Sequence, residues 1–414
     1  MALLVHGIGQ LVHVSSGEGP IIGHANQEEC ISKGQAILIE DGLISKISSE
    51  EELVEEFQSS GALELDVGGR AIIPGLVDAH THLLWMGDRS NEVRLRMNGL
   101  SYSQIAQNGG GIGATVSATR EATLQQLVMI GERRLNRALR NGTTHLETKS
   151  GYGLSTESEL RLLEAVHILD NMKTTPSIDS TWLGAHAIPP GREKSDYVEE
   201  LISEQLPSVV EQGFARSADV FCEPGWFSLD ETESICKESK KQGLDIRLHI
   251  DEFCDGGGGE LAADLLATTA DHAHHTPLDS RKRMAEVGTM TGFLPGTPYA
   301  MGERWPSFKQ MCDEGIPWTA ATDFNPNCNT ISLPFIGSIL VQRCNVNPLD
   351  ALVAVTRNPA TTTPHSSGVD HGMLKEGAAA NINVVDSRHW EKWALTPGHT
   401  PFWKTILNGE VIDF

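Results

Sequence analysis

The segment Pro74-Gly-Leu-Val-Asp-Ala-His-Thr-His82 is an apolar strand that runs directly into two histidines. Residues two apart on a strand point to the same face, so both imidazoles can bind one metal ion. The H-x-H pattern alone is weak in a chain with 16 histidines, and His272-Ala-His274 is a second example. The position of the first pair, at the end of a buried strand, favours metal binding over two unrelated histidines.

Short apolar runs alternate with amphipathic stretches of helical length through the middle of the chain. The runs that we predict as strands are residues 75–80, 143–149, 180–184, 218–222, 245–250, 269–272, 288–294 and 317–322. The predicted helices include residues 119–140, 156–171, 195–212, 228–242 and 303–313. Eight strand–helix units over about 280 residues match an α/β protein with a (β/α)₈ TIM barrel. A doubly wound open sheet is the alternative that alternation alone does not exclude.

Reactive side chains follow most of these strands at their carboxyl ends, and this favours the barrel. In chain order they are Asp78, His80, His82, Glu147, Lys149, His186, Glu223, His249, Glu252, His272 and Asp323. The carboxyl ends of all eight strands meet at one mouth of a TIM barrel, so these residues would become neighbours. Imidazoles and carboxylates gathered in this way are typical of a zinc or iron site. For Lys149 we expect a structural or substrate-neighbouring role rather than a carboxylated lysine that bridges two metals.

Three histidines and one acid would complete a mononuclear metal site: His80, His82, His249 and Asp323. The ordinary alternatives are a hydrogen-bonded core histidine for His249 and a helix cap for Asp323. A metal held by these four residues leaves a position for water, whose pKa the metal lowers to about 7. Glu252, His272 or Asp323 could take a proton from that water, and the sequence does not rank them.

Both ends of the chain have the pattern of β-hairpins. Residues 35–47 contain two β-rich runs around Asp41-Gly42, and residues 405–412 contain two around Asn408-Gly409. A further β-rich run covers residues 381–386. We therefore predict that residues 1–73 and 371–414 form a small β-sandwich-like domain, and that residues 74–370 form the catalytic barrel.

The composition restricts the partners and the compartment. The formal net charge of −23 opposes binding to nucleic acid or to an anionic membrane, because both require a positive footprint. The N-terminus lacks the pattern of a secretory leader, and no apolar run approaches the roughly 18 residues of a membrane span. The seven cysteines contain no C-x-x-C pair. We expect a cytoplasmic enzyme with reduced thiols. No G-x-G-x-x-G follows the first strand, which disfavours a Rossmann-type oxidoreductase.

Together these motifs resemble those of a known family. Residues 74–82 and Thr322-Asp323 are similar to the amidohydrolase superfamily of metal-dependent hydrolases. Other segments resemble the imidazolonepropionases within that superfamily, and the likeness extends over nearly the whole chain. They are Gly109-Gly-Gly-Ile, Thr115-Val-Ser-Ala-Thr-Arg120, Lys149-Ser-Gly-Tyr-Gly-Leu154, Leu183-Gly-Ala-His-Ala187, Asp219-Val-Phe-Cys-Glu223 and Ala321-Thr-Asp-Phe-Asn-Pro326.

The resemblance implies hydrolysis of 4-imidazolone-5-propanoate to N-formimidoyl-L-glutamate in histidine degradation, with one zinc or iron ion on the four predicted ligands. It also implies a homodimer. By the same likeness the substrate would contact Arg89, Tyr102, Tyr152, His186, Glu252, Asn325, Asn327 and Cys328. The chemistry of Arg89 agrees, because a guanidinium close to the first metal strand suits the propanoate carboxylate in so acidic a chain.

Two residues depart from the family pattern, and two other functions stay open. Asn327 and Cys328 stand where the family usually has Gly and Ser. Asn costs more than Gly if a positive φ is required, and a thiol is a weaker donor than a hydroxyl. The alternatives are an aminohydrolase that releases ammonia from a nucleobase or guanidine-like compound, and a non-catalytic amidohydrolase-like scaffold.

Overall fold

The computed structural model describes residues 2–57, 63–100, 104–105 and 108–413. Its strands are β1 (Ala2–His6), β2 (Gln10–Val12), β3 (Ile31–Ser32), β4 (Gln35–Glu40), β5 (Leu43–Ser49), β6 (Leu63–Asp66), β7 (Ala71–Pro74), β8 (Leu76–Asp78), β9 (Thr143–Lys149), β10 (Ser177–Ala185), β11 (Ser217–Cys222), β12 (Asp245–Ile250), β13 (Thr269–His272), β14 (Met290–Phe293), β15 (Trp318–Ala320), β16 (Ile382–Val385), β17 (Phe402–Leu407) and β18 (Glu410–Ile412). The α-helices are Gln27–Cys30, Glu50–Phe57, Glu92–Met97, Gly111–Arg120, Leu124–Arg140, Thr156–Asp170, Lys194–Glu200, Leu206–Gln212, Leu229–Lys241, Gly258–Leu265, Leu278–Glu286, Gly296–Met301, Lys309–Asp313, Leu333–Ser338, Pro348–Val353 and Arg357–Ala360. Two π-helical turns (Leu201–Gln205, Ile339–Arg343) and one 3₁₀ helix (Trp390–Ala394) complete these elements.

Strands β8 to β15 form one parallel eight-stranded sheet in chain order. At the carboxyl ends, a backbone bridge between Thr81 and Phe324 joins the segments that follow the first and last strands. Within the two strands, the amides of Val77 and Ala320 each donate, at 2.8 Å, to a carbonyl oxygen of residues 354–355. The strands therefore form a nearly closed TIM barrel, and the predicted fold is confirmed.

The strands of the barrel are buried on both faces. Every residue of β9 and of β11 is buried, because side chains fill the barrel on one side and helices cover the other. This burial makes the strand ends rigid supports for the polar residues that follow them. None of the helices in the described ranges is both long enough and apolar enough to cross a membrane.

Two predicted helices differ from the observed ones. The structure has two helices where one was predicted over residues 119–140, and the second begins after Thr123. The Thr123 hydroxyl accepts a hydrogen bond from the Gln126 amide, and the Gln126 side chain accepts one from the Thr123 amide, so the pair caps a new helix. Of the helix predicted over residues 303–313, only the last turn forms, because Pro306 cannot donate within a helix.

The two chain ends build two further sheets. Their strand orders are β5-β4-β1-β6 and β18-β17-β16-β7-β2-β3. Both predicted hairpins are confirmed, but they lie in different sheets. The ends of the chain meet in the six-stranded sheet, where β16 pairs with β7. A cluster of buried apolar residues from both sheets, including Val5, Ile37, Ile72 and Ile382, packs them together. The domain limits at residues 73/74 and 370/371 stay a prediction.

Candidate active site

Three histidines converge at the carboxyl ends of the barrel strands. His80 and His82 follow β8, and His249 lies near the end of β12. All three are buried, and one ring nitrogen of each lies within 4.8 Å of the others. The ring centroids are 4.5 Å apart for His80 and His249, 5.5 Å for His80 and His82, and 5.6 Å for His82 and His249. The structure thus brings together three of the four predicted metal ligands.

The fourth predicted ligand, Asp323, faces the same point. Its Oδ1 lies 3.7 Å from His80 Nε2 and 3.6 Å from His82 Nε2, while Oδ2 accepts a hydrogen bond from the Thr297 hydroxyl. Burial raises the pKa of Asp323 to about 6. The backbone of Asp323 has a φ of +48°, a left-handed conformation that non-glycine residues rarely adopt and that concentrates at functional sites.

Two buried aspartates that the sequence analysis did not select as functional residues orient two of the histidines. Asp271 Oδ2 lies 2.8 Å from His80 Nδ1, and Asp219 Oδ1 lies 3.0 Å from His249 Nδ1. A carboxylate on Nδ1 fixes the tautomer whose Nε2 lone pair is available to a metal. Acidic residues within the apolar strands β11 and β13 are the signal that could have identified both.

The ring nitrogens of the histidines are suited to bind a metal ion. The Nε2 atoms of His80 and His249 are buried and have no hydrogen-bond partner in the part of the chain that the structure describes. A buried polar atom without a partner is costly, so its presence on two facing rings needs an explanation. Burial lowers the pKa of His80 and of His82 well below the usual value, which keeps the imidazoles in the neutral, ligating form. The residues present therefore fit a divalent ion.

Lys149 lies behind the metal set and pairs with two carboxylates. Its Nζ is 2.8 Å from Glu147 Oε1 and 2.8 Å from Asp219 Oδ2, and all three side chains are fully buried. Burial lowers the pKa of Lys149, but the carboxylates of Asp219 and Glu147 outweigh burial and the pKa is raised overall. Its contacts hold the aspartate that orients His249.

Glu252 and His272 stand beside the metal set, as the sequence analysis expected. His272 Nε2 is 3.6 Å from Glu252 Oε2, and the His272 ring centroid is 5.3 Å from that of His249. Burial, with the nearby carboxylates of Asp323 and Glu223, raises the pKa of Glu252 well above its usual value. Burial also lowers the pKa of His272 well below its usual value. A carboxyl group and a neutral imidazole side by side can each exchange a proton with a reacting group that lies against both.

The metal set opens into a pocket of about 590 Å³, its open mouth included. This volume is typical of sites for small molecules. Tyr152 and His186 line the pocket next to the histidines: the ring of His186 stacks on that of His82 at 5.1 Å, and Tyr152 lies 5.1 Å from His186. His186 Nδ1 donates to the carbonyl oxygen of Gly151 at 2.9 Å, which leaves Nε2 as an acceptor. Phe221, Trp226 and Phe253 supply an apolar wall.

Arg89 also lines the pocket, but with a partner that the sequence analysis did not anticipate. Its Nε and Nη2 donate to the two carboxylate oxygens of Glu92 at 2.9 and 2.8 Å. Burial raises the pKa of Glu92, and the hydrogen bonds from Arg89 and from the Gly111 amide outweigh it and lower the pKa overall. The positive charge expected from Arg89 is therefore offset by a carboxylate beside it.

Three predicted substrate residues lie in the loop after β15, and two of them line the pocket. Asn325 and Asn327 line the pocket, and Asn325 Oδ1 accepts hydrogen bonds from the amides of Asn327 and Cys328. Asn327 does not have a positive φ, so the cost expected for replacing Gly is not incurred. Its Oδ1 accepts a hydrogen bond from Arg96 Nη1 at 2.7 Å. Cys328 is buried behind the loop, where its thiol donates to the Thr322 carbonyl oxygen at 3.7 Å.

Two predicted substrate residues, Tyr102 and Cys328, have no described place in the pocket. Tyr102 lies outside the described residues. The side chain of Cys328 does not line the pocket, and its contact with substrate stays a prediction.

Comparison with known proteins agrees with this site. The model of the amidohydrolase family matches residues 71–412. The chain belongs to the amidohydrolase family. Among its curated relatives, the imidazolonepropionase of Symbiobacterium thermophilum is 37% identical over 94% of this chain and 92% of its own length. That of Alkaliphilus metalliredigens is 36% identical over 99% of this chain and 97% of its own length. The predicted family and the predicted hydrolase class are confirmed.

Solved structures show that the amidohydrolase fold extends over the whole chain. The guanine deaminase of C. acetobutylicum, solved with guanine in its active site, is similar with a TM-score of 0.68 over all of both chains. The two sequences are 15% identical, so this similarity supports the fold alone. The barrel and the two sheets from the chain ends are thus a shared framework.

Proposed function

We propose that this amidohydrolase cleaves the cyclic amide C–N bond of 4-imidazolone-5-propanoate and gives N-formimidoyl-L-glutamate. The observation that carries the proposal is the set of His80, His82, His249 and Asp323 at one pocket, in a chain 36–37% identical to named imidazolonepropionases over nearly its whole length. In the reaction a water oxygen adds to the ring carbonyl carbon, the C–N bond breaks and the ring nitrogen gains a proton.

The four ligands would hold one zinc or iron ion, because imidazole and carboxylate groups suit both. When bound, such an ion supplies Lewis acidity, which polarises a carbonyl group and lowers the pKa of water. Asp271 and Asp219 keep two of the imidazoles in the ligating tautomer.

Glu252 and His272 would move the proton. Glu252 Oε2 and His272 Nε2 lie 3.6 Å apart at the edge of the metal set, so a reacting group placed beside both atoms can lose a proton to one and gain one from the other. We assign to Glu252 the proton taken from water and its delivery to the ring nitrogen that leaves. His272 would stabilise the developing oxyanion as a hydrogen-bond donor.

The remaining pocket residues would recognise the substrate. His186 and Glu252 would lie near the imidazolone ring, Tyr152 would bind the propanoate end, and Asn325 and Asn327 would contact the substrate from the loop after β15; all five residues line the pocket. Arg89 would bind the propanoate carboxylate, with its orientation fixed by Glu92. Tyr102 is kept as a candidate for the same carboxylate on the resemblance alone. We also keep the cytoplasm as the proposed compartment and a homodimer as the proposed assembly.

The reaction can be tested with the purified, metal-replete protein. Loss of the ultraviolet absorbance of imidazolone propanoate without release of ammonia is the expected result. Ammonia released from a purine, a pyrimidine or a guanidine compound, with no effect on the imidazolone, would identify an aminohydrolase instead. No turnover of either substrate class, together with less than about 0.2 equivalents of zinc or iron in protein analysed directly after mild purification, would favour a scaffold.

The role of Arg89 can be separated from its structural partner. Loss of charge-assisted hydrogen bonds worth about 1.5 to 3 kcal/mol should raise the KM of Arg89→Ala about 10- to 150-fold. Glu92→Gln keeps the guanidinium and removes the competing charge, so its KM should be equal to or below that of the wild type. An unchanged KM in folded Arg89→Ala would remove Arg89 from the site.

A further inference from the structure

A buried loop carries Tyr152 between β9 and the Thr156–Asp170 helix. Residues 150–154 belong to no helix or strand, yet all five are buried. Buried backbone amides and carbonyl groups normally have hydrogen-bond partners. Because regular secondary structure does not supply them here, the loop depends on side chains from elsewhere in the chain for its shape.

Glu159 supplies three of these hydrogen bonds with one carboxylate. Its Oε2 accepts from the Gly151 amide at 2.9 Å. Its Oε1 accepts from the amides of Gly153 and Leu154 at 2.7 and 2.8 Å. Burial raises the pKa of Glu159, and the hydrogen bonds from the loop lower it without cancelling the rise. A buried acid at this position is therefore unfavourable except for the loop that it holds.

The loop packs against Glu159 in a conformation that is unfavourable for some of its residues. A Cβ atom at Gly153 would lie 2.7 Å from the Glu159 amide nitrogen, so only glycine fits there. Gly151 has a φ of +91°, and Leu154 has a φ of +51°. A left-handed leucine is strained, and such strain persists only where the surroundings impose it. The contacts of Glu159 are part of those surroundings.

Arg120 holds the same loop by its carbonyl groups. Its Nε donates to the Gly153 oxygen at 2.6 Å, and its Nη2 donates to the Leu154 oxygen at 2.7 Å. The donors of a guanidinium form a rigid planar fork, so two such bonds fix the directions of both carbonyl groups. The loop is thus held by a carboxylate on its amides and by a guanidinium on its carbonyl groups.

The helix that ends at Arg120 also connects this loop to Arg89. The helix covers Gly111–Arg120, and its first amide, that of Gly111, donates to Glu92 Oε1 at 2.8 Å. Glu92 is in turn the partner of Arg89. One helix therefore joins the supports of Arg89 and of Tyr152, the two pocket residues that are proposed to bind the propanoate end.

The hold on the loop reaches the pocket through Tyr152 and His186. Tyr152 lies between the two glycines whose amides donate to Glu159, and its ring is 5.1 Å from that of His186. The carbonyl oxygen of Gly151 accepts the hydrogen bond from His186 Nδ1. Neither Glu159 nor Arg120 lines the pocket itself. Any effect of these two residues on a substrate would therefore pass through the loop.

We propose that Glu159 and Arg120 are positioning residues, which fix the 150–154 loop so that Tyr152 can bind the propanoate end of the substrate. This inference rests on the proposed function, which assigns Tyr152 to that end. If the loop were free to move, substrate binding would have to order it, and binding would be weaker. Because neither residue contacts the metal set, the expected signature is a raised KM with little change in kcat.

Kinetics with imidazolone propanoate separate positioning from general destabilisation. Glu159→Gln keeps the shape of the side chain but cannot accept all three amide hydrogen bonds. Its KM should rise about 5- to 50-fold. The control is Asp170→Asn at the other end of the same helix, where Asp170 Oδ1 accepts the Ile178 amide at 2.7 Å. This control should match the wild type.

Arg120→Lys tests the carbonyl side of the same loop at a half-buried position, and it keeps the test available should Glu159→Gln not fold. Lysine keeps the charge and loses the planar fork, so KM should rise here too while kcat stays within about threefold of the wild type. An unchanged KM in the folded variants would overturn the proposal.

Tyr152→Phe shows whether the effect passes through Tyr152. If it does, adding Glu159→Gln to Tyr152→Phe should raise KM by less than about twofold, because changes that act through one contact are not additive. The same rise in KM with and without the Tyr152 hydroxyl would overturn the proposed route.

Fluorine NMR tests the positioning without any substrate. The chain has four tyrosines, so in full-length protein labelled with 3-fluorotyrosine the signal that is missing from Tyr152→Phe belongs to Tyr152. This signal should shift or broaden in Glu159→Gln and in Arg120→Lys, and should stay unchanged in Asp170→Asn. An unchanged signal in the first two variants would overturn the proposal. Wild type that leaves imidazolone propanoate intact would overturn the proposed function instead, and the fluorine signal would still decide whether the two residues hold Tyr152.

Discussion

Replacing Asp271 by Asn tests how far the metal set depends on a residue that cannot touch the metal. Asp271 Oδ2 lies 2.8 Å from His80 Nδ1, and its other close side-chain contact is the Thr269 hydroxyl at 3.3 Å. No lysine or arginine of the described chain lies within ion-pair distance of it, so the substitution leaves no buried cation without a partner. The variant should therefore fold, with His80 less firmly held in the ligating tautomer.

The expected magnitude follows from this single contact. Loss of a carboxylate that orients a metal-binding histidine costs about 10- to 100-fold in metal affinity, or about 1.4 to 2.8 kcal/mol. Competition for zinc between stripped protein and a chromogenic chelator measures that loss directly. The melting temperature of the stripped variant should stay close to that of the stripped wild type.

A matched control is available elsewhere in the chain. Asp350 is equally buried and also contacts a histidine, since its Oδ2 lies 2.7 Å from His24 Nδ1. Asp350→Asn should leave the zinc affinity of the active-site set unchanged, because neither residue contacts that set. His24, Cys312 and Asp350 form a separate group that could hold a metal ion, so only zinc binding that Asp271→Asn loses and Asp350→Asn keeps is assigned to the active site. A folded Asp271→Asn that binds zinc within twofold of wild type would refute the role assigned to Asp271.

Three further changes test the supports of the site and of the fold. In Gly292→Ala the new methyl group would collide with the Asp271 carboxylate, so zinc affinity should fall as in Asp271→Asn and stability should fall by about 1 to 3 kcal/mol. Gly113→Ala, which meets open space within a helix, should leave zinc affinity unchanged and raise stability by up to about 1 kcal/mol. Lys149→Met leaves the buried carboxylates of Glu147 and Asp219 without their cation, so urea titrations should show a free energy of unfolding lower by about 3 to 5 kcal/mol. A loss below about 1 kcal/mol would contradict the importance of these buried ion pairs. The hydrogen bonds of His24 to two aspartates raise its pKa, so its contribution to stability is present below about pH 6.5 and is lost as the pH rises through the raised value. The melting temperature of His24→Gln should therefore lie slightly below that of wild type at about pH 6 and match it at about pH 9, and an equal difference at both would reject this account.

Much of the barrel could be predicted from local patterns. A strand buried on both faces is a short apolar run, and all eight such runs became strands of the parallel sheet. Helix limits were less predictable, because they depend on single residues. Thr123 begins a second helix within one amphipathic stretch, and Pro306 prevents most of another.

The active site, too, could be predicted from the sequence only in part. His80, His82, His249 and Asp323 could be selected from the sequence because each ends or follows an apolar run. The residues that orient them could not, since Asp219 and Asp271 acquire their roles only when neighbouring strands set them beside the imidazoles. The pairing of Arg89 with Glu92 is likewise a matter of side-chain packing, and it changes the charge that a substrate would meet.

The sequence by itself determined the class of fold, the family and the first ligands of the metal set, because hydrophobic periodicity and the residue types at strand ends are local properties. Only the tertiary structure decided which nitrogen of each histidine is held and which carboxylate faces which cation. The contacts that hold the histidines join residues 191 and 30 positions apart in the chain, and only the pairing of the barrel strands brings those residues together.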